Sequence, residues 1–105
     1  MKFLILTLSV LSLTGFGVLN ADDLKSGAYK ISQSWKQERS FERLYVVSVP
    51  EGRKGKRPVV IFLHGGGGNA RGAFKGFRRR HRAMARHYIV ICPEGYGRSW
   101  NTLGC

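Results

Sequence analysis

From Gly27 onward the apolar positions of this chain alternate. Tyr29, Ile31 and Trp35 share one parity within residues 27 to 35, as the covered side of a half-buried strand does. Lys36 to Ser40 is polar and turn-like. Phe41 to Val49 then alternates again, with Phe41, Tyr45, Val47 and Val49 on one face and Arg43 among them. The pattern predicts an antiparallel strand pair with a five-residue connection. Pro50 to Pro58 is rich in Gly, Pro and Lys and reads as the loop that ends the pair. Val59 to Leu63 is nearly continuous in its hydrophobicity, the mark of a central strand covered on both faces.

The period changes after four glycines. Phe74, Phe77, His81 and Met84 recur at intervals of three, four and three, bordered by Ala70, Ala73 and Ala85. Arg78, Arg79, Arg80, Arg82 and Arg86 fill much of the remaining circumference, which predicts one amphipathic helix with a basic outer face. Asn69 is its expected N-cap, while Gly72 and Gly76 weaken its first turns. Tyr88 to Cys92 reads as a fourth strand halted by Pro93. Strand, glycine turn, helix and strand make a βαβ unit with a parallel crossover. The class is α/β: an antiparallel strand pair followed by a βαβ unit.

The glycine turn, His64-Gly65-Gly66-Gly67-Gly68-Asn69, is where chemistry is expected. Bare backbone N–H groups beside a helix N-terminus suit an anion. A phosphate-binding P-loop would need Gly-Lys-Ser/Thr where Asn69-Ala70-Arg71-Gly72 stands, so that reading fails. Gly65, Gly67 and Ala70 satisfy the permissive dinucleotide pattern, with Glu94 at the distance of a ribose contact, yet successive glycines satisfy many patterns by chance. The third reading is an oxyanion turn after a third strand and before a first helix. In that fold the order is nucleophile, acid, then catalytic His, so His64 is expected to hold the turn rather than act as base.

Residues Arg57-Pro58 through Cys105 resemble the N-terminal part of secreted esterases of the polyhydroxybutyrate depolymerase and feruloyl esterase group. The likeness rests on Pro58-Val59-Val60-Ile61-Phe62-Leu63-His64-Gly65-Gly66-Gly67-Gly68-Asn69, on Tyr88 through Gly95, and on Gly97-Arg98-Ser99-Trp100-Asn101. Phe41 to Pro50 is similar to that family's second strand. The resemblance implies an α/β-hydrolase fold, an ester or polyester substrate, a Ser-His-Asp mechanism and no cofactor or metal. It assigns the oxyanion-hole N–H to Gly66, with His64, Gly65, Gly67 and Gly68 shaping the turn and Trp100 lining the substrate cleft. The chain departs from the family in reaching Cys105 before any Gly-x-Ser-x-Gly elbow, so it is expected to be incomplete and inactive alone. Ser99, followed by Trp100-Asn101 rather than a second glycine, reads as a loop residue. The family order puts the third strand between the fourth and a fifth, so residues 22 to 105 alone are expected to expose Val59 to Leu63 as an apolar edge and to be poorly soluble.

Charge adds a competing picture. The chain carries 18 Lys and Arg against 6 Asp and Glu, a formal charge of +12. Residues 1–21 read as an export signal, with Lys2 before an apolar run from Phe3 to Leu13 and a cut after Ala21, which predicts a secreted or periplasmic protein. Residues 22–105 would then be one small domain portion still at +11, since Lys2 is the only charge removed. Arg53 to Arg86 holds eleven Lys and Arg and no acid. No aromatic–basic interleaving of the nucleic-acid type accompanies it. The alternative function is therefore a small exported cationic protein that meets anionic envelope or polyanion surfaces through the basic helix at 71–86. A zinc site from His81, His87, Cys92 and Cys105 fits no familiar spacing. Cys92 reads as a small buried hydrophobe, and a Cys92–Cys105 disulfide is left open by the sequence.

Overall fold

A computed structural model describes residues 23–52 and 55–100. Residues 1–21, where an export signal is expected, lie outside the described residues, as do Asn101 and Cys105. The elements are β1 (Gly27–Trp35), β2 (Glu38–Ser48), β3 (Val59–Ile61), α1 (Ala70–Arg80), α2 (Arg82–His87) and β4 (Ile89–Pro93). They form a mixed four-stranded sheet in the order β1-β2-β4-β3, in which β2 is antiparallel to both β1 and β4 and β3 is parallel to β4. The protein is an α/β structure. No helix among the described residues is long and apolar enough to cross a membrane.

Alternation along the hairpin sorts side chains onto two faces, as the strand period requires. Ile31, Tyr45, Val47 and Ile89 are buried together on one, with Leu24, Tyr29, Val49 and Ile91 packed around them. Tyr29 lies opposite Tyr45, and their rings stack 5.6 Å apart. The connection is shorter than the polarity of Lys36 to Ser40 implies. Glu38 already pairs with Trp35, so only Lys36 and Gln37 turn the chain. Polar residues extend the ladder there, with Glu38 half-buried and Arg39 and Ser40 exposed; the Lys30–Glu42 ion pair at 3.1 Å is likewise exposed.

On the other face Val46, Val90 and Cys92 meet Ala70, Ala73 and Phe77 of α1, with Val60, Phe62, Phe74, Met84 and Ala85 at the margin. Cys92 serves there as a fully buried small side chain, and burial pushes its thiol up to about 11. The helix expected to run unbroken through residue 86 is two helices. His81 leaves helical geometry (φ −122°, ψ 54°), its N–H closing α1 on the Phe77 carbonyl at 2.8 Å. His81 is accordingly exposed, not a member of the apolar stripe, although its ring still touches Phe77 at 5.0 Å. Neither glycine nor proline stands at the break. Its consequence is tertiary: Met84 and Ala85 still reach the core on the short second helix.

β3 borders the sheet among the described residues, pairing with β4 alone. Val60 in β3 and Phe62 just beyond it pack under α1. The alternate positions do not find cover: Val59 is 37% exposed, Ile61 39% and, past the strand end, Leu63 51%.

Candidate functional site

The C-terminal end of β3 delivers the chain into the glycine turn. Phe62 N–H donates to the Ile91 carbonyl at 2.9 Å, the last rung of the parallel ladder. Two residues on, His64 is buried at 6% exposure. Gly95 N–H donates to its Nε2 at 3.0 Å, so that nitrogen is an acceptor and carries no proton. The proton therefore resides on Nδ1, which donates to the Gly65 carbonyl at 2.6 Å. The Trp100 indole N–H donates to the His64 carbonyl at 2.8 Å, and its ring lies 4.9 Å from the imidazole. Both ring nitrogens are thus committed to backbone. His64 is a clamp, with no free nitrogen for proton transfer.

The glycines that follow have separate tasks. Gly68 N–H returns to the Gly65 carbonyl at 2.9 Å, closing a four-residue turn whose third position, Gly67, has φ +75°. That is the type II arrangement, which demands glycine at this place. Gly67 N–H donates to the Arg98 carbonyl at 2.9 Å. Among the described residues neither Gly65 N–H nor Gly66 N–H makes a hydrogen bond, and both glycines are exposed.

A second loop braces the first. Ser99 N–H bonds the Tyr96 carbonyl at 3.0 Å, and the two residues between, Gly97 and Arg98, have φ +56° and +59°. Two positive φ values in succession define a type I′ turn. Arg98 holds this left-handed conformation, costly for a side-chain-bearing residue, while its carbonyl takes the Gly67 N–H and its Nε–H reaches the Gly68 carbonyl at 3.3 Å. Gly95 is required by contact: a Cβ there would lie 2.2 Å from the Ser99 carbonyl oxygen. Ser99 is the loop residue its context suggests, and no base stands beside it among the described residues.

Glu94 and Arg43 tie this loop to the sheet. The Glu94 carboxylate accepts from Ala70 N–H at the start of α1, where a negative charge is favoured by the helix dipole. Its own N–H donates to the Leu44 carbonyl at 2.8 Å. Asn69 Oδ1 takes Gly72 N–H at 2.7 Å, the N-cap expected from the sequence. The helix N-terminus is therefore occupied by the protein's own oxygens, and Glu94 is not free for a ribose. The Arg43 guanidinium donates to the Glu94 carbonyl, and its Nε to Gln33 Oε1 at 2.6 Å. It lies 5.3 Å from the Phe41 ring and 5.9 Å from Trp100. Burial pulls its pKa down from the ordinary arginine value, yet it stays a cation at neutral pH.

A shallow depression of about 290 Å³ adjoins the turn, lined by Leu63, His64, Gly65, Gly68 and Asn69 with Arg80 at its rim. Gly66 and Trp100 stand outside its lining. The structure thus gathers His64 through Gly68 and Trp100 into one unit, and adds Arg43, Glu94, Gly95 and Arg98, whose positioning roles the spacing of the sequence does not reveal. What this unit offers chemically is a rigid pair of open backbone donors. No group of three His, Cys, Asp or Glu side chains that could hold a metal occurs among the described residues. No protein-family model, curated protein or solved structure matches this chain.

Proposed function

We propose that this chain carries the oxyanion-stabilising turn of a secreted carboxylic ester hydrolase of the polyester depolymerase or feruloyl esterase type, built on an α/β-hydrolase fold. In such a reaction a serine oxygen attacks the ester carbonyl, and the tetrahedral oxyanion that forms needs donors already in place. The observation that carries the reading is the unequal use of the glycine N–H groups. Gly67 and Gly68 spend theirs on the two loops, while Gly65 and Gly66 keep theirs open on a turn clamped by His64. The position of β3 beside β4, with its other edge unpaired among the described residues, also supports the reading. The serine, acid and base are expected from sequence that these 105 residues do not include.

The test is the transcript through and beyond codon 105. A frame that runs on into a Gly-x-Ser-x-Gly elbow followed by Asp and His is the expected result. A stop with no such sequence downstream would overturn the reading.

A further inference from the structure

A second concavity lies away from the glycine turn and shares no residue with it. It is an open cleft of about 970 Å³ between the end of β2 and the outer face of the two helices. Lys75, Arg78, Arg79, Arg82 and Arg86 form one wall, and Ser48 to Glu51 form the other. Glu51 is the only acid in the lining. Among the described residues none of the five side-chain cations joins an ion pair or hydrogen bond; Arg78 lies over the Phe74 ring at 5.8 Å. Two other acids are engaged elsewhere: Glu42 is paired to Lys30, and Glu94 serves α1. Five like charges kept around one concavity repel one another, and an external polyanion relieves that repulsion.

We infer that this cleft binds a linear anionic polysaccharide. Its lining has no aromatic side chain on which bases would stack, unlike single-strand nucleic-acid grooves. Arginines supply planar, paired donors that match carboxylate and sulfate oxygens. On each helix the cations recur at the helical repeat, a rise of about 5.4 Å per turn, close to the length of one sugar unit. Ser48 and Glu51 on the facing wall offer acceptors for sugar hydroxyls.

The probe is a size-defined heparin oligosaccharide titrated into the full chain at about 0.15 M salt. Replacing Arg79, Arg82 and Arg86 together by Gln is expected to weaken binding on the order of thirtyfold and to flatten its salt dependence. An equal loss of charge elsewhere, Lys25→Gln with Lys36→Gln and Arg39→Gln, is expected to weaken it less than about threefold. Far-UV circular dichroism of both variants and amide shifts confined to 48–51 and 75–86 in the parent complete the expected result. Equal losses in the two variants, or shifts spread over the hairpin, would overturn the inference. Tighter, cleft-dependent binding to phosphatidylglycerol vesicles or to a single-stranded oligonucleotide would overturn it too, in favour of those partners.

Discussion

The glycine turn and the basic cleft lie on the same small sheet and are built on opposite principles. The turn is made of backbone. Its imidazole and the N–H groups of Gly67 and Gly68 have fixed partners, and only two N–H groups are left over. The cleft is made of side chains, five long cations without a bonded partner among the described residues. A site of the first kind is rigid because its atoms belong to the fold. One of the second kind depends on the fold only for the placement of its Cα atoms. Substitution should therefore damage stability in one and binding in the other.

The largest expected effect is at Gly95. Gly95→Ala pushes a methyl into the Ser99 carbonyl, so the loop must move and the bond to His64 must stretch. A loss of about 3 kcal/mol is expected in urea unfolding; an unchanged midpoint would show that the two loops are not locked together. His64→Leu comes next. It keeps the bulk but leaves Gly95 N–H buried without an acceptor, for about 2 kcal/mol on the same measurement. Smallest is Arg79→Gln with Arg82→Gln, which should change stability by less than about 0.5 kcal/mol. A loss as large as that of His64→Leu would erase the contrast, because the cations would then be holding the fold.

Local pattern made much of this molecule legible. The alternation of Tyr29 and Ile31 against Tyr45 and Val47 located the hairpin, and these side chains share one core. Asn69 announced its cap, and the glycine run announced a turn. Three features were misread, each where a non-local contact or solvent outweighed the local pattern. Glu38 to Ser40 reads as turn because it is polar, yet it is strand, held by the pairing of Glu38 with Trp35. His81 fell on the apolar stripe of an ideal helix, but the helix breaks there and Met84 reaches the core from a second one. The helix N-terminus reads as open to an anion, but Glu94, 24 residues away, occupies it by accepting from Ala70 N–H.

The site divides along the same line. That residues 64 to 68 would turn follows from glycine's freedom, a property of adjacent residues, whereas the hold of His64 on the turn lies in its bonds to Gly65 and Gly95. Which imidazole nitrogen bears the proton, and which N–H groups stay open, depends on Gly95 and Arg98, about thirty residues further on. Likewise the basic character of 71–86 is written in its composition, while the cleft exists only because the end of β2 stands opposite those side chains. Periodicity reports which face of an element is apolar. It carries no information about which distant carbonyl, carboxylate or strand end will be brought against that face, and those long-range partners decide what each site can do.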